Sequence, residues 1–79
     1  MSPVVLRQEG YIFIIFPNDH TPAHVHVKRA EKVARVKLNP VEIWDYFRFN
    51  TREISQILEI VRVNQQVLLA AWDEYHAAR

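Results

Sequence analysis

His24-Val25-His26-Val27-Lys28-Arg29-Ala30-Glu31-Lys32-Val33-Ala34-Arg35-Val36-Lys37-Leu38 decides the fold. It reads as two strands, His24–Lys28 and Lys32–Leu38, turning back on each other around Arg29–Glu31. If Arg29 stands opposite Lys32, then His26 faces Arg35, His24 faces Lys37, Val25 faces Val36 and Val27 faces Ala34. Directly opposed residues share a face of an antiparallel pair, so every apolar pair falls on one side and every His/basic pair on the other. A slip of one residue would mix the two sets. Register and polarity therefore predict each other, with the valines directed to a core and the two imidazoles to the opposite surface.

Working upstream, Pro17–Ala23 reads as a loop, with two prolines and the pair Asn18-Asp19. With it, three of the four histidines (His20, His24, His26) fall within seven residues, beside Asp19. Before the loop, Tyr11–Phe16 is six consecutive apolar residues, rich in β-branched and aromatic types, and predicts a strand buried on both faces. Gln8-Glu9-Gly10 predicts a turn around the single glycine of the chain, and Val4–Leu6 a further short strand.

Downstream, Leu38 is expected to end the sheet. Asn39-Pro40-Val41-Glu42 spells a helix start, with Asn39 as cap, Pro40 at the first helical position and Glu42 closing a capping-box-like arrangement. A short helix Pro40–Phe47 follows on this reading, its Val41, Ile43, Trp44 and Phe47 serving mainly as core. Asn50-Thr51-Arg52-Glu53 repeats the signal for a second helix. Ile54, Leu58, Val61, Gln65, Leu68, Trp72 and Tyr75, spaced by four and three, keep one stripe on one side of it. Unbroken, it would run about 40 Å, more than this domain covers. The helix either breaks near Val63–Gln66 or projects to meet a partner, for instance a second copy of the chain. The whole, residues 1–79, is expected to be a single α+β domain. Its core would be a four-stranded antiparallel sheet of two hairpins, with a short and a long helix packed on one face.

Seventy-nine residues lie near the lower limit for a single hydrophobic core, and an apolar fraction of 49% argues against disorder. The chain has no cysteine, which rules out disulfides and thiolate metal sites and fits a reducing compartment. The start, Met-Ser-Pro-Val-Val-Leu-Arg, lacks the pattern of a secretion signal, and no run approaches the ~18–20 apolar residues of a membrane span. A cytoplasmic location is expected. Between His24 and Lys37 five basic residues stand against one acid, a local charge of +4 within a net +1. Such a face attracts phosphate, although lysine and arginine on a hairpin also serve simply to discourage aggregation.

Three chemistries fit the histidines. His20, His24 and His26 form a feasible three-nitrogen set for zinc or another divalent ion, with Asp19 as fourth ligand or as the carboxylate that orients an imidazole. Arg35 and Lys37 on the same face would oppose a cation. Without metal, His24 and His26, with His20 as the alternative, supply an acid and a base for cleaving RNA at its own 2′-hydroxyl. Arg35, Lys37 and Lys28 would hold the phosphate. In the third reading the histidines merely fix the loop through backbone hydrogen bonds. Trp44, Phe47 and Trp72 read as core rather than as a base-stacking platform. No glycine-rich phosphate loop, paired-carboxylate site, Ser-His-Asp pattern or basic recognition helix is evident.

Gly10-Tyr11 before an apolar strand, the run Asp19-His20-Thr21-Pro22-Ala23-His24-Val25-His26-Val27, Leu38-Asn39-Pro40, and Asn64…Leu68-Leu69…Ala71-Trp72…Tyr75 resemble a small bacterial family, domain of unknown function 4160. The resemblance covers nearly the whole chain, with Ala23 where the family often has a second proline and Asn39 where aspartate is common. It implies a role in a toxin–antitoxin-like gene pair, next to a small protein of the domain of unknown function 2442 type, and a link to nucleic acid. It assigns no activity to Asp19, His20, Pro22, His24 or His26. The leading expectation is a toxin–antitoxin-type protein that binds or cleaves RNA through the His/basic sheet face. The alternatives are a divalent-metal protein and a non-catalytic interaction module acting through its C-terminal helix.

Overall fold

The structure, a computed structural model, describes residues 3–76. Five strands, β1 (Val4–Gln8), β2 (Tyr11–Ile14), β3 (His24–Arg29), β4 (Lys32–Leu38) and β5 (Val41–Phe47), form an antiparallel meander in chain order. Two helices follow, α1 (Thr51–Val63) and α2 (Gln65–His76). The α+β class and the antiparallel sheet stand as expected, but the sheet has five strands rather than four.

The β3–β4 hairpin pairs as its sequence requires: Arg29 with Lys32, Val27 with Ala34, His26 with Arg35, Val25 with Val36 and His24 with Lys37. The β1–β2 hairpin closes through Glu9 and Gly10, both at positive φ (54° and 84°), the backbone signature of a two-residue type I′ loop.

The short helix over Pro40–Phe47 is corrected: this stretch is β5. Asn39-Pro40 forms the two-residue turn that sets Leu38 opposite Val41, its peptide bond is cis, and the sheet does not end at Leu38. Valine, isoleucine, tryptophan, tyrosine and phenylalanine in this run favour a strand, and β4 offers a free edge to pair with. Arg35 faces Asp45 while the next residue, Val36, faces Ile43, which leaves Trp44 as the extra residue of a β-bulge. Trp44 and Phe47 are not core either; they are 37% and 57% exposed.

The long helix breaks, at Asn64. The Asn64 side chain donates to the Ile60 carbonyl (2.8 Å), and Gln65 donates to the Leu38 carbonyl (2.7 Å), which ties the start of α2 to the end of β4. Asn50 caps α1 through a capping box completed by Glu53, as the sequence indicates. Tyr11, Phe13, Val25, Val27, Val36 and Leu38 on the inner sheet face bury against Ile57, Val61, Leu68 and Trp72 of the helices. Each such side chain contributes about 1.5–3 kcal/mol by leaving water. Ile57 and Ile60, outside the expected stripe, are also buried. Among the described residues, the opposite sheet face carries the exposed side chains of Lys28, Val33 and Phe47.

Candidate functional site

The site forms where the Pro17–Ala23 loop enters β3. His24 and His26 share a face because a strand alternates its side chains, and the loop folds Asp19 back onto both of them. The Asp19 Oδ2 lies 2.8 Å from His26 Nε2 and 3.2 Å from His24 Nε2. His24 is buried, 3% exposed, and His26 is partly accessible, its side chain 26% exposed. The His24 Nδ1–H donates to the Pro22 carbonyl at 2.9 Å. A carbonyl only accepts, so Nδ1 carries the proton and Nε2 is the atom presented to Asp19.

Aromatic rings enclose the pair. His24 has Trp44 at 5.0 Å between centroids and Trp72 at 5.3 Å, and His26 meets Phe16 edge-on at 4.8 Å. Trp72 stacks on His76 at 3.9 Å. His76 closes the far side, its Nδ1 2.7 Å from the Trp72 carbonyl and its Nε2 3.0 Å from the Asp19 carbonyl. The last turn of α2 thus holds the backbone of Asp19 in place.

The bulge at Trp44 organises the neighbouring charges. In a regular strand Glu42 and Asp45, three apart, would face opposite sides. With Trp44 extruded, Glu42 stands opposite Lys37 and Asp45 opposite Arg35. Arg35 grips Asp45 through both Nε (2.9 Å) and Nη2, and Lys37 reaches Glu42 at 3.1 Å. The Arg35 guanidinium also lies over the Trp44 ring at 4.5 Å. The hydrogen bond from Arg35 lowers the Asp45 carboxyl below its ordinary range against the opposing effect of burial, with smaller contributions from the charge of Arg35 and from His26 and His24. Arg35 is raised by the same hydrogen bond.

Of the residues singled out in the sequence, Asp19, His24 and His26 come together, with Arg35 and Lys37 beside them on the outer face. His20 lies exposed on the loop and outside the cluster. Lys28 is exposed two residues beyond His26 along β3. The sequence does not place Trp44, Asp45, Glu42 or Phe47 at the site, and of His76 it says only that it could touch the sheet face. The signal for the first four is the β-branched and aromatic composition of Val41–Phe47, obscured by the helix-start residues before it.

Along the outer face, Phe16, His26, Lys28, Arg35 and Phe47 line a concavity of about 500 Å³, together with Val33 and Asp45. Phe16, Val33 and Phe47 are 40%, 40% and 57% exposed, an apolar surface that scattered exposed residues do not explain. No helix among the described residues is long and apolar enough to cross a membrane.

These features define a small α+β protein with a five-stranded meander, helices on one face and an Asp–His–His cluster at its rim. The family model described as domain of unknown function, DUF4160, matches residues 10–73, and the chain belongs to that family. The matched span includes the whole cluster and both tryptophans. No curated protein and no solved structure gives a significant match.

Proposed function

We propose that this protein binds single-stranded RNA across the open face of its sheet, in the cytoplasm, as one member of a toxin–antitoxin-type pair. The observation that carries this reading is the set of exposed rings, Phe16, Trp44 and Phe47, interleaved with Lys28, Arg35 and Lys37 on that face. Unpaired bases stack on such rings at about 1–3 kcal/mol each, and cations beside them meet the phosphates. Arg35 and Lys37 sit in exposed ion pairs with Asp45 and Glu42, and exposed pairs of this kind cost only about 0–1 kcal/mol to open. A phosphate oxygen can therefore take the place of either carboxylate. Burial of His24, with its Nε2 turned to Asp19, favours binding over a cleavage mechanism that needs both imidazoles at the substrate. Membership of a two-gene pair is supported by the family resemblance alone, and a small partner protein would cover the same apolar surface.

Fluorescence anisotropy with a labelled single-stranded RNA tests the reading. Affinity is expected to drop steeply between about 50 and 200 mM salt. Phe47→Ala should weaken binding about tenfold, within the range for losing one stacked base. Salt-independent binding that Phe47→Ala leaves intact would overturn the proposal. Co-expression with the neighbouring reading frame should yield a co-purifying small protein that competes with the RNA.

A further inference from the structure

We infer that Asp19, His24 and His26 form a site for a zinc-like divalent cation. The site adjoins the RNA-binding face through His26, but cation binding is read without RNA, and its ligand set differs from the three-histidine set that the sequence suggests. One donor atom from each of the three residues lies within 4.8 Å of the other two. Around zinc, with bonds of about 2.0–2.2 Å, tetrahedrally arranged donors stand roughly 3.3 Å apart. The His24 Nε2 to Asp19 Oδ2 separation is 3.2 Å, and that of His26 is 2.8 Å, so a cation needs only a small outward movement of the carboxylate.

Hydrogen-bond accounting at His24 shows that its ligating nitrogen is the one turned to Asp19. The Pro22 carbonyl fixes the proton on Nδ1, so a neutral ring presents a bare lone pair at Nε2. That lone pair is directed at Asp19 Oδ2, itself an acceptor, within a side chain 4% exposed. With the ring neutral, two acceptors face each other, and either a second proton on Nε2 or a metal ion between them resolves the conflict; the metal titration below separates the two. An imidazole with Nδ1–H bound to a backbone carbonyl and Nε2 left over is also the arrangement of a metal-ligating histidine.

The surroundings suit the assignment. The objection from Arg35 and Lys37 is weakened because each is neutralised by its own carboxylate, Asp45 and Glu42. Two imidazoles and one carboxylate select zinc and its transition-metal neighbours over magnesium or calcium, which take oxygen ligands. His76 acts as a positioning residue by holding the backbone carbonyl of Asp19. Three protein ligands leave a fourth position for water, and His26, the accessible member, borders the outer concavity.

The full chain, made without a polyhistidine tag and stripped with chelator, is titrated with Zn²⁺ by calorimetry and with Co²⁺ by visible absorption. About one equivalent should bind, with a tetrahedral cobalt spectrum and a higher thermal midpoint in zinc. Asp19→Asn, which keeps the size of the side chain and an acceptor, and His26→Gln should each weaken binding tenfold or more. His20→Ala should leave it unchanged. Circular dichroism of each variant confirms that it is folded. If the folded parent chain binds no metal, Asp19 and the histidines are a plain ion pair and the inference is wrong. Loss of binding in His20→Ala, or its persistence in both Asp19→Asn and His26→Gln, would equally overturn it.

Discussion

His24 is wedged edge-on against Trp44, with their ring centroids 5.0 Å apart and their planes 82° from parallel, so that a buried imidazole links the open sheet face to the helical layer. With Trp72 on its other side, His24 fills space that nothing else occupies. His24→Ala should therefore cost about 2–4 kcal/mol, as large-to-small changes in packed sites do. His26→Ala, at a partly accessible position, should cost clearly less. Urea unfolding of both variants gives the order directly.

Lys32 Nζ bonds Glu53 Oε2 at 2.7 Å and fastens the β3–β4 hairpin to the first turn of α1. That bond, followed by the one from the Asn50 backbone, lowers the Glu53 carboxyl below its ordinary value. A carboxyl depressed in the folded state contributes stability that is present above its unfolded pKa and lost as pH falls through the folded value. Stability should decline on acidification below about pH 4.5. Glu53→Gln should be less stable than the parent at pH 7 and show a shallower decline, as read by thermal melts at a series of pH values.

Asn50 accepts from the Glu53 amide at 2.8 Å, satisfying a donor that the helix itself cannot. Asn50→Ala should cost about 1 kcal/mol, and Asn50→Asp should be close to neutral. Chemical denaturation distinguishes the two.

Gly10 sits at φ +84°, and a Cβ there would approach Arg29 Nε to 3.4 Å, where that arginine lies over the Tyr11 ring. Gly10→Ala should destabilise by about 1–2 kcal/mol, chiefly through backbone strain, with a matching fall in the thermal midpoint.

Arg35 separates stability from binding. Its pair with Asp45 is on the surface, so Arg35→Ala should change stability by less than about 1 kcal/mol. RNA affinity should nonetheless drop, and the slope of log affinity against log salt should flatten by roughly one phosphate contact.

Some of this was legible in the sequence because a single physical constraint left few choices. The β3–β4 register followed from Val25, Val27, Val36 and Ala34 needing one face together, and the start of α1 from Asn50 and Glu53. β5 looks helical in sequence for an identifiable reason. The bulge at Trp44 places the apolar residues Val41, Trp44 and Phe47 three apart, which imitates helical spacing, and Asn39-Pro40 supplies a false cap. Side-chain parity located His24 and His26 but says nothing about a loop, so nothing distinguished Asp19 from His20 as their companion. His76 reaches the site from 57 residues away, a contact no local pattern encodes.

The central claim is that the open sheet face receives single-stranded RNA, and amide chemical-shift mapping during an RNA titration tests it most directly. The account predicts shifts clustered at His26, Lys28, Val33, Arg35 and Phe47, with α1 unmoved. Shifts confined to α1 and α2, or no shifts at RNA concentrations well above that of the protein, would contradict it.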